Sequence, residues 1–471
     1  MPKTIEVDVA IIGAGTAGLG ALRQVKAAGK SFVLIERGEL GTMCARVGCI
    51  PSKAVLHASE LIHTAAALDD AMPAARRAEL ASRLWQQARE VRDRSADAMA
   101  KETLELAAEG FIPGDARLVS ANEIQVGAQL VRARAIVIAT GSTPVLPDEY
   151  KTLGDGVLTT DSLFDLNTLP SSIGLVGLGA IGLEMGVALS RLGVRVTGAD
   201  KSSIVGGIRD PLIASTARRS LGRELTIWLD APVHVKRHGN GKFELLSGEN
   251  EERRAEVESV LVALGRRSTL AELHLHNAGI DVDENGKVEF DAQTMRIGDS
   301  NFYLAGDVDN ERPLKHEAAD EGSIAGWNAA RHHTNDRWKR RVPLSIAFTN
   351  PDIGAIGCPF DKLPAGTLVA ESKADSNARS SIAQQPDNVV RLYAEPETGK
   401  LLGAAVFSGS GEHLAHLLAL AIQRGETAES LLQMPFYHPT VEELLQTALR
   451  DAVSKTGGSK QGLELELFRP D

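Results

Sequence analysis

The stretch VDVAIIGAGTAGLGALRQVKAAGKSFVLIER, residues 7–37, decides the fold. An apolar run leads into a glycine-rich turn, a helical pattern follows, and a second apolar run ends the stretch. Gly13, Gly15 and Gly18 form a GxGxxG motif, and Glu36 ends the second predicted strand. Such glycines allow a tight turn, close approach of the backbone to a pyrophosphate and close helix packing, while the acid binds a ribose hydroxyl. The stretch therefore predicts a dinucleotide site, although a lone glycine-rich turn is common.

The same spacing recurs in IGLVGLGAIGLEMGVALSRLGVRVTGAD, residues 173–200. Its four key residues each lie 164 positions after their counterparts (177−13, 179−15, 182−18, 200−36), and they are Gly177, Gly179, Gly182 and Asp200. Two ordinary βα turns are the alternative, but four equal offsets favour two dinucleotide sites. We therefore predict an α/β fold with two Rossmann-like dinucleotide-binding domains, in which one nucleotide can pass electrons to the other.

Two further apolar stretches end in small or acidic residues. RAIVIATGSTP (134–144) and NFYLAGDVD (301–309) each read as a strand followed by a turn. Ligands of open α/β sheets lie at the carboxyl ends of the strands, where small residues let the backbone approach a ligand. The cofactor contacts predicted at these two ends are Thr140, Gly141, Ser142 and Asp307. Either stretch alone could be an ordinary strand and turn.

Length and charge set further limits. At 471 residues the chain is long enough for about three domains, and no apolar run reaches the roughly 18 residues of a membrane span. The net charge of −11 argues against a nucleic-acid partner. The N-terminal MPKTIEVDVAII has no basic leader followed by an apolar core, so we expect a cytoplasmic protein without a secretory signal. The basic stretch RWKRR (337–341) is expected to form a solvated loop.

The stretch GTMCARVGCIPSK, residues 41–53, holds two of the three cysteines of the chain. In an ideal helix Cys44 and Cys49 would have Cα atoms roughly 8–9 Å apart, beyond the limit of about 7 Å for a disulfide. Gly48 lets the backbone leave helical geometry, and Pro51 can then begin a regular helix. A bond over so short a loop adds little stability, which indicates a redox-active pair. A zinc half-site is the alternative, although no second Cys or His pair at ligand spacing accompanies it.

With the CxxxxCxPSK pattern added to the two fingerprints, the sequence resembles the class I flavoprotein disulfide reductases over nearly its whole length. Within that family it is most similar to the dihydrolipoyl dehydrogenases. The resemblance implies FAD at the first fingerprint, a nicotinamide nucleotide at the second, and a C-terminal α+β domain that forms a homodimer. The implied FAD-binding domain covers 1–149 and 271–345, the NAD-binding domain 150–270, and the interface domain 346–471.

The resemblance also assigns roles near the cysteines. Cys44 is implied to be the thiol that meets the substrate, and Cys49 the thiol against the flavin. Lys53 and Glu184 match positions that pair near the flavin N5, where they would hold negative charge on the reduced flavin. A solvent-facing Lys53 on the outside of its helix is the alternative.

Near the C-terminal end, QMPFYHPTVEELLQTALRDA (433–452) contains His438 and Glu443. Thiol–disulfide exchange needs a thiolate, and a histidine titrates in the range suited to taking the proton from a thiol and returning it. By resemblance His438 is the acid–base catalyst for the disulfide of the partner subunit, and Glu443 orients it. Glu443 could instead serve only in a capping box with Thr440.

The resemblance completes the set of cofactor-binding positions. Besides the residues of the two fingerprints and the four contacts given above, it adds Gly114, Leu314, His316 and Gly265. Asp200 would repel a 2′-phosphate and accept hydrogen bonds from a free ribose diol, so NAD is expected. Lys201 and Arg195 leave NADP open as an alternative.

The expected function is oxidation of protein-bound dihydrolipoyl groups through the cysteine pair and FAD, with NAD as the acceptor and a lipoyl-carrying protein as the partner. No cysteine follows Cys358, which disfavours family members with an additional C-terminal redox centre, such as the mercuric reductases. The alternatives are an NADH-dependent reductase of another small disulfide and a non-catalytic flavoprotein scaffold. Met43 and Arg46 depart from the family pattern, and the Arg46 cation is expected to favour a cysteine thiolate.

Overall fold

A computed structural model gives the fold and describes residues 4–69, 71–284, 286–331, 334–456 and 464–465. The outermost parts of the predicted FAD and interface domains, residues 1–3, 457–463 and 466–471, lie outside the described residues. The helices are α1 (Thr16–Ala27), α2 (Thr42–Arg46), α3 (Cys49–Leu68), α4 (Ala74–Ala107), α5 (Asp148–Lys151), α6 (Thr160–Leu163), α7 (Ala180–Arg191), α8 (Pro211–Leu221), α9 (Lys315–Ala330), α10 (Ala378–Ile382), α11 (Gly411–Arg424), α12 (Ala428–Leu432) and α13 (Glu442–Lys455). None of these described helices is both long and apolar enough to cross a membrane.

The strands fall into sheets that follow one another along the chain. In chain order they are β1 (Thr4–Ile12), β2 (Phe32–Glu36), β3 (Phe111–Pro113), β4 (Ala116–Ser120), β5 (Glu123–Val126), β6 (Gln129–Ile138), β7 (Ser142–Pro144), β8 (Val157–Leu158), β9 (Ser172–Val176), β10 (Arg195–Ala199), β11 (Thr226–Trp228), β12 (Val233–Arg237), β13 (Phe243–Ser247), β14 (Arg253–Val257), β15 (Ser259–Val262), β16 (Arg266–Ser268), β17 (Phe302–Leu304), β18 (Leu344–Ala347), β19 (Asp352–Gly357), β20 (Leu368–Lys373), β21 (Val389–Ala394) and β22 (Leu401–Ser408). Short antiparallel pairing of β7 with β16 connects the first two of the larger units.

The first sheet has the order β3-β2-β1-β6-β5-β4, with β17 also paired to β6. The pairs of β1 with β2 and β6, and of β6 with β17, are parallel, whereas β4, β5 and β6 form an antiparallel meander. Ala139 N donates to Ile12 O at 2.8 Å, and Ala305 N donates to Ile138 O at 3.0 Å. The turns that follow β1, β6 and β17 therefore lie together at one edge of the sheet, because parallel strands end on the same side.

The second sheet has the order β11-β10-β9-β15-β8 and is parallel throughout. The antiparallel strands β12, β13 and β14 pack against it through a shared apolar cluster that includes Val176, Phe243 and Val260. Both sheets are parallel at the strands that carry the glycine turns, and each turn leads directly into a helix, α1 or α7. This is the arrangement of a dinucleotide-binding unit.

The acids Glu36 and Asp200 make equivalent hydrogen bonds in the two units. Ala14 N donates to Glu36 Oε2, and Leu178 N donates to Asp200 Oδ2, each at 2.7 Å. The second oxygen of each carboxylate accepts the N–H two residues further along the chain, each at 2.8 Å. These partners keep the 164-residue offset found in the sequence (178−14, 200−36). The predicted pair of Rossmann-like units is confirmed.

The C-terminal unit is an antiparallel sheet with the order β18-β19-β22-β21-β20. Helices α11, α12 and α13 bury their apolar faces against it, and Leu414, Leu418, Leu445 and Leu449 lie in the shared core. Sheet and helices are segregated along the chain, as the α+β prediction requires.

The basic stretch 337–341 is not a wholly solvated loop. Trp338 packs edge-on against Trp327 with ring centroids 5.5 Å apart. Arg337 is exposed, but the Arg340 side chain is only 13% exposed and is paired with Glu317 and Glu321. The expectation for this stretch is therefore wrong for Arg340, whose partners lie about twenty residues earlier on α9 and carry no local sequence signal.

Helices α1 and α9 pack with their backbones almost touching. A Cβ atom on Gly322 would lie 2.0 Å from Ala17 O, and one on Gly326 would lie 2.4 Å from Ala21 O. These distances are far below van der Waals contact, so the crossing requires residues without side chains at both positions.

We predict that Gly326→Ala destabilises the protein by about 1–3 kcal/mol, because the added methyl group forces the two helices apart. Ser323→Ala, on the same helix, removes only a side-chain bond to Ala319 O and serves as the control. Thermal unfolding of the two holoproteins measures the difference. Equal midpoints would contradict the close packing of these helices.

Candidate active site

The backbone leaves helical geometry between the two cysteines. Helix α2 ends at Arg46, and α3 begins at Cys49, with Gly48 between them at φ −117° and ψ −118°. A Cβ atom on Gly48 would lie 3.2 Å from Cys44 Cα, so the glycine also permits the close approach of the two segments. Cys44 and Cys49 are thiols in this structure, and their sulfur groups interact through a hydrogen bond.

The two sulfurs differ in their affinity for a proton. The hydrogen bond from Cys44 lowers the pKa of Cys49 to about 6, and the nearby cation of Lys53 adds to the effect. The same hydrogen bond and partial burial raise the pKa of Cys44. Lys315 lowers the pKa of both thiols. The arrangement therefore favours a thiolate on Cys49 and a thiol on Cys44.

Arg46 does not have the position that its place between the cysteines suggested. Its guanidinium forms an ion pair with Glu39 and also donates to Glu39 O at 3.2 Å. The cations that act on the sulfurs are Lys53 and Lys315. Arg46 is not among these cations, and its expected effect on the thiolate stays a prediction.

Lys53 and Glu184 form a close ion pair, as the resemblance implied. Lys53 Nζ donates to Glu184 Oε1 at 2.9 Å and to Oε2 at 2.8 Å. The Glu184 carboxylate is 6% exposed and also accepts Phe348 N at 2.9 Å. Lys53 Nζ lies 4.5 Å from the centroid of the Phe348 ring. Lys53 is therefore not a simple solvent-facing residue.

A cavity of about 260 Å³ brings the cysteines to the two glycine turns. Cys44 and Cys49 line it together with Gly15 of the first turn and with Ala180 and Glu184 of α7. Of the predicted cofactor contacts, Gly141, Asp307 and Leu314 also line this cavity. Redox sulfurs and both dinucleotide units thus share one space.

A second cavity of about 340 Å³ lies on the other side of the first glycine turn. Gly13, Glu36, Gly114 and Thr140 line it, and all four were predicted as cofactor contacts. The Thr140 hydroxyl is buried and has no hydrogen-bond partner among the described residues. A buried hydroxyl without a hydrogen-bond partner destabilises the protein unless a ligand provides the partner.

The glycine turn suits a pyrophosphate that passes between the two cavities. Gly13 has φ +108°, and a Cβ atom there would lie 2.2 Å from Ala139 O. Gly15 faces open space, with no atom within 4 Å of its Cβ position, at the N-terminus of α1. Backbone N–H groups at a helix start bind phosphate. The residues present therefore fit FAD, with the adenosine by Glu36 and the flavin by the cysteines.

Three predicted contacts of the first dinucleotide, Gly18, Ser142 and His316, are not among the residues that line the two cavities. Gly18 packs against the turn, where a Cβ atom would lie 1.8 Å from Gly13 O. The Ser142 hydroxyl donates to Asp307 Oδ2 at 3.0 Å and accepts Arg266 Nε at 2.9 Å, so it positions a cavity residue from behind. His316 is on the first turn of α9 and approaches Glu317 at 3.9 Å.

The second glycine turn mirrors the first. Gly177 has φ +98°, and Gly179 faces open space at the N-terminus of α7. Gly182, in the first turn of α7, packs so closely that a Cβ atom would lie 2.1 Å from Gly177 O. Asp200 follows β10, and Gly265, with φ +92°, follows β15. These residues would hold a second dinucleotide, and Ala180 and Glu184 of the following helix α7 line the cysteine cavity.

His438 lies away from the cavity of its own chain. The side chain is 71% exposed, and His438 is not among the cavity-lining residues. His438 Nδ1 lies 3.0 Å from Glu443 Oε1, and Glu443 Oε2 accepts Thr440 N at 3.1 Å. The hydrogen bond with His438 lowers the pKa of Glu443. Glu443 therefore contacts His438 and the backbone together, while the Thr440 hydroxyl donates to Tyr437 O and leaves the capping box half formed.

Several residues that line the cysteine cavity were not predicted as site residues. Among them are Met43, Phe164, Arg266 and Lys315, which carry large or charged side chains. Met43 and Lys315 are direct neighbours of predicted residues, and Arg266 follows the predicted Gly265, so adjacency was the available signal. Phe164 follows the short helix α6 and carries no motif.

Comparison with known proteins supports the same reading. The pyridine nucleotide-disulphide oxidoreductase model matches residues 7–332, and the dimerisation-domain model of that family matches residues 343–449. The chain belongs to the pyridine nucleotide-disulphide oxidoreductase family. It is a flavoprotein disulfide reductase that uses FAD, and the dimerisation domain supports a homodimer.

Two curated relatives are equally similar to the chain. Dihydrolipoyl dehydrogenase of Staphylococcus aureus is 28% identical over 463 residues, which cover 95% of this chain and 97% of the relative. Mercuric reductase of the same species is 28% identical over 457 residues, which cover 94% of this chain and 82% of the relative. Identity alone therefore does not select the substrate.

Solved structures share the fold. The Cu(II) complex of RclA, an HOCl-induced flavoprotein disulfide reductase from Escherichia coli, matches with a TM-score of 0.81 at 22% identity, covering 94% of this chain and 99% of that chain. LpdA from Mycobacterium tuberculosis matches with a TM-score of 0.79 at 22% identity and the same coverage. The three-unit architecture, including the α+β dimerisation domain, is thereby confirmed.

We predict that Cys49 of the reduced protein reacts with iodoacetamide as a thiolate with a pKa of about 6, so its reactivity falls as the pH drops below that value. Cys44→Ala removes the hydrogen-bond donor and should raise the pKa of Cys49 towards that of an ordinary thiol. Alkylation rates at Cys49 between pH 5 and 9, followed by mass spectrometry, measure the shift. Cys358→Ala is the matched control, and an unchanged profile in Cys44→Ala would contradict the assignment.

Proposed function

We propose that the protein is a dihydrolipoyl dehydrogenase that oxidises protein-bound dihydrolipoyl groups and reduces NAD. The observation that carries the proposal is the cysteine pair in one cavity with Gly15 of the first turn and the start of α7. FAD, when bound there, accepts two electrons from sulfur and passes them on to the nicotinamide. The protein supplies the thiols, the proton acceptor and the charges around them.

Thiol chemistry assigns the two cysteines different tasks. One thiolate of the substrate attacks Cys44 of the oxidised pair, which breaks the Cys44–Cys49 bond and leaves Cys49 as a thiolate. The second substrate sulfur then displaces Cys44, so the substrate leaves as a cyclic disulfide and two electrons remain on the pair. The low pKa of Cys49 suits it as the leaving group in the first step.

His438 is the proposed proton acceptor for the substrate dithiol. Glu443 interacts with Nδ1, which leaves Nε2 as the free ring nitrogen. A carboxylate at Nδ1 stabilises the imidazolium formed when Nε2 takes a thiol proton. Because His438 is exposed and away from its own cavity, we assign it to the cysteine pair of the second subunit in the homodimer.

Lys53 and Glu184 are proposed to balance charge beside the flavin. Lys53 is bound on one side by both Glu184 oxygens, and Glu184 is held in turn by the Phe348 amide. The pair brings a cation to the cavity wall without leaving a buried charge unpaired. Negative charge that reaches the cavity during turnover is stabilised by this cation.

The substrate assignment favours lipoyl groups over mercuric ion because the chain has three cysteines and none after Cys358. The nucleotide assignment favours NAD because the Asp200 carboxylate lies at the end of β10, where it accepts ribose hydroxyls and repels a 2′-phosphate. We further propose a cytoplasmic location and a lipoyl-carrying protein as the partner.

We also propose the domain division 1–149 with 271–345, 150–270, and 346–471. The first sheet takes its strands from 4–138 and 302–304, the second from 157–262, and the third from 344–408. The first and second sheets each fall within one proposed unit, whereas β18 of the third sheet begins at Leu344, two residues before the proposed boundary at 346.

Steady-state rates test the substrate and nucleotide assignments directly. In the direction of disulfide reduction, we expect turnover of lipoamide with NADH to exceed turnover with NADPH or with glutathione disulfide by at least about tenfold, the discrimination that 1.4 kcal/mol provides. The four combinations are measured with one preparation. Faster turnover of glutathione disulfide or another small disulfide would replace the lipoyl assignment with a different disulfide reductase.

Substitution of His438 tests the proton acceptor. We expect His438→Gln to lower dihydrolipoamide turnover by about 10²–10⁴-fold, the usual contribution of a general base. Reduction of the cysteine pair by NADH, seen as thiolate-to-flavin absorption, should persist because it needs no substrate proton. His238→Gln, in the turn between β12 and β13, is the control, and equal activity of the two variants would refute the role of His438.

A further inference from the structure

A cluster of buried acids lies directly behind the flavin cavity and has no part in the proposed reaction. Asp309, Glu317 and Glu321 are each at most 5% exposed. Arg340 Nη2 donates to Glu317 Oε2 at 2.6 Å and to Glu321 Oε1 at 2.5 Å. The Arg340 guanidinium therefore forms ion pairs with two of the three buried carboxyl groups.

The third carboxyl group, Asp309, forms no ion pair with a cation of the described residues, since Arg340 pairs with Glu317 and Glu321. Its Oδ1 accepts Glu311 N at 2.8 Å, and its Oδ2 is buried without an N–H or hydroxyl donor. The carboxyl groups of Asp309 and Glu321 lie within hydrogen-bonding reach of each other. Two ionised carboxylates have no proton to donate, so a bond between them requires one shared proton.

The acid pair is connected to the cavity by one peptide group. Gly306 N donates to Glu321 Oε2 at 2.7 Å. Ala305, Gly306 and Asp307 line the cavity that holds the cysteines. Glu321 thus holds the backbone that contacts the flavin site, and a change of its charge acts on that site at close range.

We propose that Asp309 and Glu321 form a proton-binding site that takes up a proton when electrons enter the neighbouring cavity and releases it when they leave. Electrons add negative charge to the cavity, and negative charge raises the affinity of nearby carboxyl groups for protons. By linkage, protonation of the pair then makes reduction more favourable. The proton comes from solvent and returns to it, so the balance of the disulfide reaction is unchanged.

The surroundings of Asp309 and Glu321 set the pH range in which the site binds a proton. Burial and the neighbouring Asp309 raise the pKa of Glu321 to about 7, and burial also raises the pKa of Asp309. Helix α1 faces α9 with Ala17 and Ala21, which do not titrate. Among the described residues, the charged or titratable groups that act on the pair or on its partner Glu317 include Glu311, Arg312, His316 and Arg340.

The test compares flavin midpoint potentials of holoenzymes, measured by spectroelectrochemistry at several pH values around 7. Asp309→Asn places an N–H donor where the shared proton lies, so the variant keeps the hydrogen bond and loses the titration. We expect its potential to diverge from wild type with pH. The slope of the midpoint potential against pH should change by up to about 30 mV per pH unit. This corresponds to one proton bound per two electrons, and a shift of about 30 mV is a tenfold change in the reduction equilibrium.

Asp320→Asn, on the next position of α9, is the matched control because Asp320 pairs with the exposed Arg341. Its potential should run parallel to wild type. If Asp309→Asn fails to bind FAD, Glu321→Gln is measured in the same way and should also diverge. Parallel lines for the Asp309 or Glu321 variant would overturn the proposal. The measurement uses no lipoyl substrate, so its failure is distinct from failure of the proposed function.

Discussion

One buried carboxylate connects all three units of the chain. Glu184 belongs to α7 of the second unit. Its carboxylate accepts Lys53 Nζ of α3 from the first unit and the Phe348 amide, which follows β18 in the third unit. A buried carboxylate without its partners is strongly unfavourable, so the three contacts depend on each other. The cavity between the glycine turns and the cysteines has its shape because these segments are joined at this point.

Much of the fold could be predicted because its determinants are local. A glycine turn between a strand and a helix depends on residues within a few positions, and the 164-residue repeat doubled that signal. The break between Cys44 and Cys49 was likewise readable, since helical spacing and Gly48 together require it. The partners that the resemblance implied, Lys53 with Glu184 and His438 with Glu443, lie close together in the structure.

The placements that the sequence did not indicate concern the directions of side chains. Arg46 lies between the cysteines in sequence, but Glu39 draws its guanidinium away. Arg340 sits in a basic run, yet two acids on α9 hold it in the interior. Ser142 acts behind the cavity wall through Asp307. Such outcomes depend on partners that only the tertiary structure brings near, and no pattern of composition or periodicity reports them.

The acids at the ends of β2 and β10 have a double task. Both oxygens of Asp200 accept backbone N–H groups, one from the glycine turn at Leu178 and one from Ser202, and Glu36 does the same in the first unit. The carboxylate that would bind the ribose thus also holds the glycine turn that would bind the phosphates. Exchanging this acid alone to change the nucleotide preference would also remove the hydrogen bonds that hold the glycine turn in place. At the neighbouring Lys201, ribose recognition can be altered without breaking the hydrogen bonds of the turn.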